Sequence, residues 1–181
     1  AFRDDGGVDP VSGGTGPFVV RPADLRIAAV TTPGGAANPG TREAGPGFLA
    51  AGAPFRAVVE AVSSTGTVTP NFGLESVPES VTVAADTLLW PVGGRNGSGD
   101  DGAISGAGAF VRTGAGTFEA TGLAWDEVGT IALRAAVADG DYLGTGPVPA
   151  STTGPVGRFF PDRFVLDAAV LAGACGALAW M

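Results

Sequence analysis

Apolar and polar residues alternate along the middle of the chain, a pattern that predicts β-strands. Successive side chains of a strand point to opposite faces, so apolar residues at every second position indicate one buried face. Two segments, "APFRAVVEAV" and "GTIALRAAV", show this pattern most clearly. Their predicted buried positions are Phe55, Ala57, Val59 and Ala61 in the first, and Ile131, Leu133, Ala135 and Val137 in the second.

Shorter patterns of the same kind flank these two segments. Val81 and Val83 alternate with Thr82, and Phe118 and Ala120 alternate with polar neighbours. The chain also holds 31 Gly and 14 Pro, many of them between the predicted strands, where they favour turns. Seven or more short strands in about 130 residues predict an all-β fold, an antiparallel immunoglobulin-like β-sandwich with a C-terminal extension.

Composition changes along the chain predict four segments. Residues 1–17 read as a linker or N-terminal arm, and residues 18–146 as the sandwich. Residues 147–155 are rich in Pro, Thr and Ser and read as a connector. Residues 156–181 are predicted to be a docking segment or the start of a next module. Their last part favours a buried strand or extended segment over a helix, and is too short for a membrane span of roughly 18 apolar residues.

An aromatic cluster follows the connector, in "GPVGRFFPDRF". Phe159, Phe160 and Phe164 each bring roughly 150–250 Å² of surface that can be buried. Pro155 and Pro161 donate no ladder hydrogen bond, which argues against a central strand throughout. We expect these three Phe residues to dock the segment onto the sandwich or onto a neighbouring module. A binding site is the alternative.

Charge and composition narrow the range of functions. The net charge is −8, which disfavours nucleic acid as a partner. The chain contains no His and no Lys, so a Ser-His-Asp arrangement, a Schiff-base lysine and a phosphate-loop lysine are all excluded. No carboxylate pair stands in a recognisable catalytic setting. We therefore expect an acidic protein without enzymatic activity, located outside the cell or at the cell surface.

Two loops carry clustered oxygen ligands of the kind that calcium prefers. One contains Asn96, Asp100 and Asp101, and the other contains Asp139 and Asp141. Neither matches an EF-hand loop. Asp and Gly also form turns, and this interpretation is favoured. In the second loop the Asp side chains would then accept backbone hydrogen bonds, and no cofactor would be required.

Three tryptophans, Trp90, Trp125 and Trp180, are candidates for a sugar-stacking platform. Trp125 ends a predicted strand and Trp90 precedes a proline. Burial at the ends of the core is therefore the favoured interpretation.

Several phrases together are similar to one family. They are "FVVRPADLRI", "AGAPFRAVVEAVSSTGTVTPNFG", "AWDEVGTIALRAAVADGDYLG", and "GPVGRFFPDRF" with "ACGALAWM". These phrases resemble MshQ-type proteins, which are associated with biogenesis of the mannose-sensitive haemagglutinin (MSHA) type IV pilus. Phe160 and Arg163 stand where Tyr and His are common in that family. The resemblance covers about residues 17–181 and implies a large envelope or extracellular protein linked to a pilus, with no catalytic residues. The stretch "AGAPFRAVVEAVSSTGTVTPNF" is also similar to the strand–turn–strand of bacterial immunoglobulin-like repeats in surface adhesins.

These observations favour a non-catalytic extracellular structural or adhesion module. Its expected partners are other pilus or surface-protein subunits, in a homo-oligomer or filament. Exposed strand edges pair readily with other chains, and "FVVRPADLRI" and the C-terminal apolar segment are the candidates. The alternative is a carbohydrate- or calcium-binding module that uses loops at one end of the sandwich. No membrane span is expected.

Overall fold

The computed structural model describes residues 18–93 and 103–165, together with Gly14 and two short strands before it. The described residues form strands and connecting loops. The strands in chain order are β1 (Phe2–Arg3), β2 (Pro10–Val11), β3 (Asp24–Thr31), β4 (Leu49–Ala50), β5 (Phe55–Val62), β6 (Val81–Trp90), β7 (Ile104–Ser105), β8 (Val111–Gly114), β9 (Thr117–Trp125), β10 (Gly129–Val137) and β11 (Val156–Phe160).

Two sheets form the body of the molecule. The first has the strand order β3-β5-β9-β7, and β8 also pairs with β9. The second has the order β4-β11-β10-β6. Strands β1 and β2 pair with each other. All strand pairs are antiparallel except β11 with β4. No helix occurs in the described ranges, and the predicted all-β antiparallel sandwich is confirmed.

The core lies between the two sheets and uses the apolar faces that the alternation predicted. Every predicted face residue of β5 and of β10 is buried, as are those of β6 and β9. Burial of each large aliphatic or aromatic side chain stabilises the fold by about 1.5–3 kcal/mol. Arg134 lies on the exposed face of β10, where it pairs with Asp86 of β6. The period-two pattern therefore identified the strands that hold the sandwich together.

The two ends of the sandwich differ in their loops. At one end, which we call the Tyr142 end, the ring of Tyr142 stacks on Phe72 with centroids 5.6 Å apart. At the other, which we call the Phe159 end, the ring of Phe159 lies among other aromatic rings. Strand β3 starts near the Tyr142 end, because Asp24 pairs with Val62.

Residues 147–155, the predicted connector, run along the sandwich. The Leu25 amide donates a hydrogen bond to the Pro149 carbonyl, 2.9 Å away. Thr153 pairs with Leu133 of β10, both through its amide and through its hydroxyl. Strand β11 follows and lies between β4 and β10. The first five residues of the predicted docking segment are therefore a strand of the sandwich itself.

Gly129, the first residue of β10, provides a test of this packing. Its φ is 130°, and a Cβ at this position would lie 2.2 Å from the Trp90 carbonyl oxygen. We expect Gly129→Ala to lower the free energy of unfolding by about 2–4 kcal/mol, because the backbone must shift. The measurement is urea unfolding. Gly122→Ala in β9 is the control, since its Cβ would meet no atom within 4 Å. Equal stability of the two variants would contradict the packing.

Candidate interaction site

The outer edge of β3 borders an open groove of about 440 Å³, which we call the β3 groove. Strand β3 is the edge strand of the first sheet and pairs with β5 on its inner side. Ile27 and Val30 pack against the core. Ala28 has no partner in β5, because Ile27 pairs with Val59 and Ala29 pairs with Val58. This bulge lies in the middle of the groove wall.

Other segments cover the outer edge of β3 at both ends. Near the Tyr142 end, Leu25 forms a parallel bridge with Ala150. Near the Phe159 end, the Asn38 amide donates a 2.9 Å hydrogen bond to the Val30 carbonyl. Between these points no other described strand pairs with the outer edge. The gap spans about four residues, roughly 13 Å of extended chain.

The opposite wall of the groove is the chain that leads into β11. It consists of Thr153, Gly154, Pro155 and Val156. Asn38 holds this wall in place with its side-chain amide: Nδ2 donates to the Pro155 carbonyl at 2.8 Å, and Oδ1 accepts from the Gly157 amide at 3.0 Å. Asn38 thus links the two walls of the groove, since its backbone amide also bonds to Val30 of β3. No sequence pattern indicates this role, because residues 31–47 look like an ordinary loop.

The groove is uncharged. None of the described residues that line it is ionisable, although the chain carries a net charge of −8. Small residues, Ala28, Ala29, Ala37, Gly40 and Gly154, make up much of the lining. Such a surface can receive another backbone at close range. It offers no group for acid–base chemistry.

The three predicted docking residues lie in three different environments. Phe159 is 2% exposed, Phe160 is 45% exposed and Phe164 is 93% exposed. Phe160 lies over Gly47, where an added Cβ would come within 2.8 Å of the ring. The structure therefore brings only Phe159 into the core. Phe160 and Phe164 remain on the surface at the Phe159 end.

Phe159 belongs to a cluster of four aromatic rings. Its ring centroid lies 5.2 Å from that of Trp125, 5.7 Å from Phe48 and 5.8 Å from Phe55. Strict alternation from Val156 would place Phe160, not Phe159, on the buried face. A bulge changes this: Phe159 pairs with Gly129 and Gly157 with Thr130, which leaves Arg158 as the extra residue.

The calcium candidates lie in two regions. Asn96, Asp100 and Asp101 are outside the described residues. The Asp139 carboxylate accepts a hydrogen bond from the Asp141 amide, and the Asp141 carboxylate accepts from the amides of Gly144 and Gly146. These carboxylates therefore serve as turn acceptors. Within the described ranges no group of three or more His, Cys, Asp or Glu side chains could hold a metal ion.

A second cavity, of about 340 Å³, lies at the Tyr142 end. Residues 63–72 form one side of it, with Ser63, Thr67 and Asn71 supplying polar groups. Arg21 borders it and donates to the carbonyls of Thr145 and Pro147. Of the tryptophans proposed for sugar stacking, Trp125 is buried, Trp90 is half-buried and Trp180 is outside the described residues.

Acidic residues surround Tyr142. Its hydroxyl donates a 3.0 Å hydrogen bond to the Glu75 carboxylate. Burial, the hydrogen bond to Glu75 and the charges of Glu75 and Glu79 raise the pKa of Tyr142 to about 12. Burial and the negative charges of Asp139, Glu75 and Asp141 likewise raise the pKa of Glu79, while the Leu143 amide opposes the shift.

The titration of Tyr142 can be followed directly because the sequence contains a single tyrosine. The tyrosinate absorbance of the native chain should have its midpoint at about pH 12, against about 10 in denaturant. Since the folded pKa is the higher, this group's contribution to stability is complete below about pH 10 and is lost as the pH rises towards 12. Glu75→Gln should lower the native midpoint. A native midpoint near 10 would contradict the described environment.

Comparison with protein families gives two matches. Residues 21–121 match the model described as DUF6701, second domain, and residues 127–181 match DUF6701, third domain. No curated protein and no solved structure matches the chain. The two matched segments share one sheet: β4 and β6 come from the first, and β11 and β10 lie between them. In the ranges that the structure describes, no helix is long and apolar enough to cross a membrane.

Proposed function

The chain belongs to the DUF6701 family, and we propose that it is a non-catalytic structural module that assembles with other subunits by strand pairing at the β3 groove. The observation that carries this proposal is the uncovered stretch of β3 beside an apolar, uncharged groove. An exposed strand edge offers free backbone donors and acceptors to another chain. Adding a strand to such an edge is a common way of binding peptides.

The other sheet edges are less suited to pairing. Strand β6 is long, but it contains two bulge residues without a partner in β10, Asp86 and Leu89, whereas β3 contains one, Ala28. Strand β4 has two residues and β8 has four. Bulges and short strands are devices that prevent unwanted edge pairing. Among the described edges, β3 combines length with a neighbouring groove.

The charged side chains support a structural role. Arg26 pairs with Glu60 across β3 and β5, and Asp24 holds the amide and hydroxyl of Ser151. These groups stabilise neighbouring segments, each pair contributing up to about 1 kcal/mol because it is solvent-exposed.

The setting that we propose is the surface of a bacterial cell, in an MshQ-type protein linked to a pilus. The phrases that resemble this family and the acidic composition support it. Labelling of intact cells with an antibody against residues 18–165 tests the location. Signal on intact cells is expected, whereas signal only after permeabilisation would contradict a surface location.

One charge placed in the groove tests the assembly mechanism. Ala28→Asp should raise the dissociation constant of self-association by about tenfold or more, because strand pairing would desolvate the new carboxylate. Folding should change by less than about 0.5 kcal/mol, since Ala28 is an exposed bulge residue. Sedimentation velocity over a concentration series measures the association.

The control carries the same charge at another exposed apolar position. Val92→Asp, in the loop after β6, should associate like the unaltered chain. If Ala28→Asp and Val92→Asp associate equally, the β3 groove is not the assembly site.

A second candidate function is carbohydrate binding at the Tyr142 end. The hydroxyls and the amide that border the 340 Å³ cavity favour it. The nearby aromatic rings, Phe72 and Tyr142, are buried against each other and offer little surface for sugar stacking. A glycan array with the chain and its Asn71→Ala variant tests this function; the absence of Asn71-dependent binding would rule it out.

A further inference from the structure

The shape of the β3 groove restricts what can pair with it. The uncovered edge is recessed, because Pro149 and Ala150 lie beside Leu25 at one end and Asn38 lies beside Val30 at the other. The β3 edge of a second copy is recessed in the same way. Two such edges cannot approach to the roughly 4.7–4.9 Å that strand pairing requires. A single extended segment, without a sheet behind it, can enter the gap.

The lining restricts the chemistry of that segment. A charged side chain entering the groove would lose water without finding an opposite charge, since no ionisable residue lines it. Ala28, Ala29 and Gly154 leave room for a closely approaching backbone, while Ile27 and Val30, both partly exposed, supply apolar surface. Thr31, Asn38 and Thr153 add neutral polar groups. Small and aliphatic residues meet these conditions.

We propose that the partner of the β3 groove is one extended, uncharged segment of about four small or aliphatic residues, which a neighbouring subunit contributes as an added strand. This inference rests on the proposed function, and it names the partner: a flexible arm, not the edge of a second sheet. Backbone hydrogen bonds to the outer edge of β3 provide most of the recognition.

The probe is a synthetic peptide, AAVLAGA, which has the composition that the groove selects and occurs in this chain as residues 168–174. It is titrated into the full chain while amide resonances are recorded by NMR. We expect shifts confined to residues 26–30 and 153–156, and a loss of self-association as the peptide is added. The control peptide AADLAGA carries one charge. The amide shifts that it causes should be at least about tenfold smaller than those caused by AAVLAGA.

The outcomes separate this inference from the proposed function. Groove shifts with AAVLAGA that are absent in the Ala28→Asp variant support both. If AAVLAGA does not bind but Ala28→Asp still abolishes self-association, the groove receives another kind of surface and the inference is overturned, while the proposed function stands. If the peptide does not bind and Ala28→Asp associates normally, both are overturned. Equal shifts with both peptides would overturn the selection for an uncharged segment.

Discussion

A chain that consists of residues 18–125 will not fold. It contains the whole segment that matches the second DUF6701 domain, but it lacks β10 and β11. Those two strands are the central strands of the second sheet, between β4 and β6. Without them, β4 and β6 have no partner in that sheet, and the inner face of the first sheet is exposed to water.

The size of the effect follows from the core side chains that are removed. The large ones on β10 and β11 are Ile131, Leu133, Val137, Val156 and Phe159, all buried. At about 1.5–3 kcal/mol each, their loss removes roughly 7–15 kcal/mol. The total stability of a domain is about 5–15 kcal/mol. No other described interaction offsets a loss of that size.

Residues 18–165 serve as the control for this truncation. Circular dichroism and amide proton dispersion should show a cooperative β fold for residues 18–165 and an unfolded chain for residues 18–125. A cooperative unfolding transition in the shorter chain would contradict the shared sheet.

Phe159→Ala should lower the free energy of unfolding by about 3–5 kcal/mol, the cost of removing a buried Phe from a packed core. Phe159 is 2% exposed and contacts the rings of Phe48, Phe55 and Trp125. Phe164→Ala is a matched control, because Phe164 is 93% exposed and lies only five positions further along the chain. It should change stability by less than about 0.5 kcal/mol.

Urea unfolding of both variants measures the difference. If Phe164→Ala lowers the free energy of unfolding as much as Phe159→Ala does, the whole aromatic segment docks as a unit. Near-equal stability of Phe159→Ala and the unaltered chain would mean that the aromatic cluster contributes little to the fold.

The sequence predicts the central strands well because their alternation is unbroken. Every second residue of β5 from Phe55 and of β10 from Ile131 is buried as predicted, although Val62 and Ala132 are buried as well. Both strands are bulged relative to their neighbours, but the pattern of burial within each persists. Period-two burial is therefore sufficient to identify them.

The same reasoning cannot identify β11. Arg158 is a bulge residue, so Val156 and Phe159 are both buried although they are three positions apart. The pairing with β10 and β4 that stabilises this strand comes from distant parts of the chain. A local pattern contains neither the bulge nor its partners.

The β3 groove is even less accessible to sequence analysis. Its walls come from residues 27–31, 37–40 and 153–156, which read separately as a strand, a loop and a connector. The sequence did indicate "FVVRPADLRI" as an edge segment, but it could not show that both ends of that edge are covered. Asn38 is the residue that links the walls, and only the folded chain reveals its partners.

The shared sheet also bears on how the two DUF6701 segments relate. Strands from residues 127–181 lie between strands from residues 21–121. The β3 groove itself has one wall from each segment, β3 from the first and Thr153–Val156 from the second. Folding and the proposed assembly site therefore both depend on the two segments together.

Native-state hydrogen exchange on the full chain with Leu133→Ala tests the shared sandwich most directly. Leu133 is buried in β10, and its truncation should cost about 2–5 kcal/mol. If the two segments form one cooperative unit, the opening free energy of the Val59 amide in β5 falls by the same amount as that of amides in β10. Unchanged protection at Val59, with loss confined to β10 and β11, would show that the segments fold separately.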